Sequence, residues 1–127
     1  MTGEMTDHPT RERIWETPAG VRLCPLDQLE APGARSFVLQ LGEAFFHGFA
    51  VRKGDGVYGY VDRCPHAGMP LARTLDDYLT EKKDLIHCIW HGALFRVEDG
   101  HCVGGPCAGS RLSPWPLRVE DGWVVTA

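Results

Sequence analysis

Apolar residues along this chain alternate with polar ones in short runs, and turn-forming residues separate the runs. Between Ser36 and Leu41, Phe37, Leu39 and Leu41 fall on one side while Ser36, Val38 and Gln40 fall on the other. That is the period of a strand with one buried face. Phe45 to Arg52 and Val57 to Asp62 are two more strand-like runs, and the Lys53-Gly54-Asp55-Gly56 turn between them predicts a hairpin. Upstream, Val21 to Leu23 is a short strand candidate, followed by Pro25 to Leu29 and the breaker cluster Ala31-Pro32-Gly33. Downstream, Leu94 to Val97 and His101 to Val103 are expected to pair across Glu98-Asp99-Gly100, whose Asp-Gly step favours a tight turn. Leu117 to Glu120, the turn Asp121-Gly122 and Trp123 to Thr126 complete the β pattern. One segment departs from it. Thr74-Leu75-Asp76-Asp77 places a hydroxyl at a cap position and a carboxylate three residues on, and Leu75, Tyr78 and Leu79 share one helical face. A short helix is expected there, with Asp76, Asp77, Glu81, Lys82, Lys83 and Asp84 as its solvated outer side. The pattern as a whole predicts an all-β chain with one short helical insertion.

Length and composition narrow this further. The 127 residues suit a single domain, residues 14–127, with enough chain for a real core. Met1 to Arg13 is polar and is expected to be a disordered tail, with His8 a solvated side chain in it. It contains no apolar run of signal-peptide or membrane-anchor length, which predicts a cytoplasmic protein. The formal charge of −4 is mild, and no basic cluster interleaved with aromatics points to nucleic acid. No nucleophile-base constellation stands out, so independent catalysis is not expected. His47, inside a strand-like run, reads as a satisfied or partly exposed histidine.

The chemistry concentrates in Cys64-Pro65-His66 and Cys88-Ile89-Trp90-His91. Each stretch brings one thiolate and one imidazole at tight spacing. A zinc finger usually gathers its cysteines in one knuckle and its histidines on a helix. A [2Fe-2S] rhomb held by two cysteines on one iron and two histidines on the other needs the distribution seen here. A closed zinc site built from the same four residues is the structural alternative.

The flanking residues carry a resemblance. Cys64-Pro65-His66-Ala67-Gly68-Met69-Pro70-Leu71 and Cys88-Ile89-Trp90-His91-Gly92-Ala93-Leu94-Phe95 resemble the two cluster-binding boxes of Rieske [2Fe-2S] proteins, and the similarity runs from about Val21 to Val125. It includes the glycine two residues after His66 and the one directly after His91. The segment Ala67 to His87 between the boxes is longer than in the common ferredoxin members, with the extra length in Arg73 to Asp84. The details are most like small stand-alone Rieske-type ferredoxins. The resemblance implies a Rieske fold of antiparallel sheets, with a cluster-binding part at about residues 63–107. It implies a [2Fe-2S] cofactor held by Cys64, His66, Cys88 and His91. Gly104-Gly105-Pro106 occupies the position of the loop that covers the cluster in this family, and its glycines permit close backbone approach.

The family also implies a redox range. Its high-potential members carry an extra cysteine in each box, joined as a disulfide; the matching residues here are Met69 and Trp90. They also place hydroxyl donors two and four residues after the last histidine, where this chain has Ala93 and Phe95. Fewer hydrogen bonds to the sulfurs mean a lower potential. The expected activity is one-electron transfer, with a flavin-containing reductase as donor and an oxygenase or other oxidoreductase as acceptor. His66 and His91 are expected to face the docking surface. Met69, Pro70 and Trp90 serve there either as an apolar contact patch or as packing between the loops. A redox-sensing or regulatory subunit is the second alternative. Cys24, Cys102 and Cys107 have no place in the ligand set and are expected to be small buried hydrophobes, with a Cys102–Cys107 disulfide the lesser outcome. His87 and His101 lack ligand spacing.

Overall fold

A computed structural model describes residues 13–65, 71–72, 76–88, 92–107 and 109–127. Its strands, in chain order, are β1 (Arg13–Ile14), β2 (Arg22–Pro25), β3 (Gly33–Leu41), β4 (Ala44–Lys53), β5 (Gly56–Val61), β6 (Leu85–His87), β7 (Leu94–Arg96), β8 (Cys102–Gly104), β9 (Leu117–Glu120) and β10 (Trp123–Thr126). They make three sheets among the described residues. In the first, β4 is central, with β3 on one edge and both β1 and β5 on the other. In the second, β10 lies between β2 and β9; in the third, β7 lies between β6 and β8. All pairings are antiparallel except that of β1 with β4.

The strand-and-turn reading of the sequence is met at these positions. β3 pairs with β4 from Gly33↔Arg52 to Leu41↔Ala44, and the link between them turns at Gly42, whose φ of 68° lies in the left-handed region. Val38, on the side of β3 expected to be outward, is 58% exposed. β4 has no polar face to spare. Phe49 and Val51 point into the cluster of buried side chains that contains Cys64 and Cys88, while Phe46 and Ala50 point the other way, toward Trp115 and Val124 respectively. Because side chains alternate along a strand, one extended segment supplies the floor of the cysteine region and the roof of the opposite core.

Two readings need correction, and one strand was not expected. Arg13, placed in the tail, pairs with Phe45 through β1; residues 1–12, including His8, lie outside the described residues. The three-residue β6 carries too little pattern to stand out in the sequence. The expected helix is absent from its described part, residues 76–84, while Thr74 and Leu75 lie outside the described residues. The chain there is extended. Leu79 bridges Ile86, Thr80 N–H donates to Leu85 O at 2.9 Å, and the turn at Glu81 to Lys83 returns the chain into β6. Asp76 has φ 66°, a left-handed conformation that stops a helix, and its Oδ1 accepts from the Ser36 N–H at 2.7 Å. Tyr78 leaves the supposed helical face and stacks on Phe49, with ring centroids 4.1 Å apart and planes 6° from parallel. Tertiary burial of one aromatic ring outweighs the local capping signal.

Trp115 closes the opposite core. It is 2% exposed, lies 4.7 Å from the Phe46 ring, and its Nε1–H donates to Thr17 Oγ1 at 2.9 Å. The approach requires glycines below it: a Cβ on Gly48 would lie 2.6 Å from Phe46 Cε2 and 2.7 Å from Trp115 Cε3, and one on Gly59 would overlap the Trp115 carbonyl oxygen. The neighbour at Gly59 is backbone and cannot swing away, since Trp115 N–H also donates to Gly59 O at 2.8 Å. Gly59→Ala is therefore expected to cost about 1–3 kcal/mol, measured as a lower urea midpoint with an unchanged slope; an unaltered midpoint would refute this account of the crossing.

Candidate metal centre

The first box leaves the end of β5, and a carboxylate closes it. Asp62 Oδ1 accepts the Leu71 N–H at 2.9 Å, joining the two ends of the segment that contains Cys64 and His66. Its Oδ2 accepts the Tyr78 O–H at 2.9 Å. Asp62 N–H itself donates to His47 O at 3.0 Å, which fixes the carboxylate to β4. The second box is a tight connection between β6 and β7. Cys88 N–H donates to Ala93 O and Gly92 N–H to Cys88 O, both at 2.9 Å, so the loop is closed on itself by backbone bonds, and Gly92 takes φ 71° at its end. His87 N–H donates to Tyr78 O at 2.9 Å, so Tyr78 bonds a residue just ahead of each box.

Cys64 and Cys88 are each fully buried, belong to one cluster with Leu71, Ala93 and Phe95, and are in no disulfide. His66 and His91 lie outside the described residues, as do Met69, Pro70 and Trp90. Of the other histidines, His87 is half-buried with Nε2 3.9 Å from Asp77 Oδ1, beyond hydrogen-bond reach, and His101 is exposed on the hairpin. Two sulfurs buried together among apolar side chains fit thiolate ligands. As thiolates in such surroundings they would need a bound cation to compensate their charge. Ala93 and Phe95 are both fully buried and neither carries a hydroxyl.

A third segment closes over the second box. Gly105 has φ 85°, and a Cβ there would lie 2.7 Å from Ala93 Cα and 2.8 Å from Gly92 O, so its backbone rests directly on that of the box. Cys102 and Cys107 flank this segment and are joined in a disulfide with Cα atoms 6.0 Å apart. The expectation of two unlinked thiols is thereby corrected. Five intervening bonds of sequence hid the fact that β8 and the following turn bring the two cysteines face to face. Cys24 matches its expected role, buried in the second core, where burial pushes its thiol pKa up.

The sequence reading passed over Asp62, Tyr78 and Tyr60. Tyr60, on β5, donates to Val97 O at 2.5 Å and ties the first sheet to the β7–β8 turn. Burial, then the nearby Asp99 and Glu98 carboxylates, push the Tyr60 hydroxyl up to about 12. Burial and the Asp62 carboxylate push Tyr78 higher still. The signal available in the sequence was a carboxylate two positions before the first cysteine, but its partners lie beyond the box and inside the insertion.

Both hydroxyls titrate higher in the folded protein than the ordinary value of about 10. Their contribution is complete below that pH and is lost as pH rises above it, for Tyr60 over the window from about 10 to about 12. Stability should therefore decline with rising pH above about 10, and Tyr60→Phe should flatten the decline; equal slopes for the two proteins in urea titrations would contradict the assignment. Tyr78→Phe removes one donor to a carboxylate and is expected to cost about 1.5–3 kcal/mol in the same measurement at neutral pH.

Residues 20–119 match the family model of the Rieske [2Fe-2S] domain. Among solved structures, a chain from the complex of reduced oxygenase and oxidized ferredoxin in carbazole 1,9a-dioxygenase is 26% identical, covering 84% of this chain and 100% of its own length, with a TM-score of 0.65. The ferredoxin of carbazole 1,9a-dioxygenase from Nocardioides aromaticivorans IC177 is 24% identical over 87% of this chain and 98% of its own, with a TM-score of 0.65. The Sphingomonas yanoikuyae B1 ferredoxin shares the fold at 21% identity and a TM-score of 0.62, over 84% of this chain and 96% of its own. No curated protein matches the chain. Among the described residues no helix is long and apolar enough to cross a membrane. With two cysteines buried in one cluster and a family match across both boxes, the chain belongs to the Rieske [2Fe-2S] family, whose cluster is held by two cysteines and two histidines.

Proposed function

We propose that this protein is a low-potential one-electron carrier between a reductase and an oxygenase. In this reading Cys64 and Cys88 hold one iron of the cluster and His66 and His91 the other. The observation that carries it is the burial of Cys64 and Cys88 in one apolar cluster, closed by Asp62 on one side and by the Gly92 turn on the other. The cluster, when bound, supplies a one-electron couple. The chain's residues keep its sulfur side dry and fix the distance between the two loops. In this reading each box pairs its buried cysteine with a histidine two or three residues further on, and the imidazoles face the docking surface as the exit for the electron.

Support for the acceptor class comes from the relative at 26% identity, found in a complex of oxygenase and ferredoxin. Support for low potential comes from Ala93 and Phe95, buried where hydroxyl donors would otherwise stabilise the reduced state.

The purified protein should show a reducible mixed-ligand [2Fe-2S] signal by optical and paramagnetic resonance spectroscopy, and a midpoint toward the negative end of the Rieske range, near about −150 mV. Cys64→Ser and His91→Ala should each abolish that signal while Cys24→Ser keeps it. A midpoint well above zero would defeat the low-potential reading. A colourless protein with one tightly bound zinc and no acid-labile sulfide would replace the carrier with a closed structural site.

A further inference from the structure

The Cys102–Cys107 disulfide is unused by the proposed electron-transfer site, yet it spans the segment that rests on the second box. Cys102 lies on β8 and is partly exposed beside Val103, which is 51% exposed; Cys107 is 3% exposed and belongs to the same buried cluster as Cys64 and Cys88. Between them, Gly105 meets the box only through backbone, against Ala93 Cα and Gly92 O. It has no side chain to pack, and Pro106 next to it is exposed. Backbone bonds hold the base of the turn, where Cys102 N–H donates to Ser110 O at 3.0 Å and Ser110 N–H to Cys107 O at 2.9 Å. The sulfur–sulfur bond joins the same two residues, Cys102 and Cys107, and closes the turn between them. Cys102 is the partly exposed partner and Cys107 is anchored in the core, the arrangement in which thiol exchange opens a loop without dissolving the structure beneath it.

We infer that Cys102–Cys107 is a thiol–disulfide exchange site, reduced by a dithiol, whose oxidised form staples the Gly104-Gly105-Pro106 segment onto the second box. A thiolate of the dithiol attacks Sγ of Cys102, the more exposed residue of the pair; the Cys102–Cys107 bond breaks, and Cys107 leaves as a thiolate and takes a proton. The donor's second thiolate then attacks the donor sulfur of the mixed disulfide. Cys102 is released and protonated, and the donor departs as its own disulfide. Two electrons and two protons pass from the donor dithiol to the cysteine pair. The opened segment admits water to the backbone of Ala93, which is fully buried beneath it. The consequence for the loop stands on the geometry alone, whereas the consequence for a cluster rests on the function proposed above.

The test uses the intact purified protein with reduced dithiothreitol as the dithiol, at neutral pH and without denaturant. Alkylation followed by peptide mass analysis should find Cys102 and Cys107 modified and Cys24 protected. Amide hydrogen exchange at residues 103–105 and at Ala93 should then accelerate roughly tenfold or more, the scale set by releasing so short a closed loop. The double variant Cys102→Ser, Cys107→Ser should show the fast exchange without any reductant. In cluster-loaded protein, iron release to a chelator should accelerate in parallel, and the midpoint should rise as water reaches the sulfides. The inference is overturned if the pair resists dithiothreitol until the protein unfolds, or if exchange at these amides is the same in the disulfide, dithiol and double-serine forms. Alkylation and exchange report on the loop with or without a cluster, so they decide this question even where the electron-carrier reading fails.

Discussion

Two cysteines from separate loops must be buried in one apolar cluster, and the loops that carry them are too short and too polar in backbone to be held by packing alone. Each is closed by hydrogen bonds instead. In the second box the bonds are internal, Cys88 with Ala93 and Gly92, which is possible because β6 and β7 already bring its ends together. The first box has no such partner strand. Its closure comes from the Asp62 carboxylate, a charged acceptor that binds Leu71 N–H and Tyr78 O–H with the extra strength of an ionised group.

The remaining architecture can be understood as support for these closures. β4 carries Phe49 on its site-facing side, Phe49 supports the Tyr78 ring, and Tyr78 in turn delivers its hydroxyl to Asp62 and its carbonyl to His87. Tyr60 connects β5 to Val97 beyond the second box. The segment after the first box therefore acts as a strut: it links the first sheet to the third and spans both cysteine loops. It reaches from the Asp76–Ser36 contact at one edge to the Thr80–Leu85 pairing at the other.

The opposite face of β4 shows the cost of sharing a strand between two cores. Phe46 and Ala50 face Trp115 and Val124, so β4 carries apolar side chains on both sides, and space for the indole is found only by leaving Gly48 and Gly59 without Cβ atoms. Close approach there and at Gly105 has the same origin: backbone must come nearer to its neighbour than any side chain allows.

The sequence by itself determined the local features. Alternation from Phe37 to Leu41 and the glycine turns at Gly54 and Gly100 specify strands and hairpins, because side-chain period and backbone handedness are properties of a few adjacent residues. The Cys-x-His and Cys-x-x-His boxes are legible for the same reason, since ligand spacing is local chemistry. Tertiary structure decided whatever depended on distant partners. Thr74 to Leu79 carries a helix signal, yet Tyr78 finds Phe49 and Leu79 finds Ile86, and those contacts are stronger than a cap. Asp62 becomes a loop closure only once Leu71 and Tyr78 are folded against it, and Cys102 meets Cys107 only because β8 ends in a turn that doubles back. Short segments such as β1 and β6 hold too few residues to show a period, and their pairing with β4 and β7 alone makes them strands.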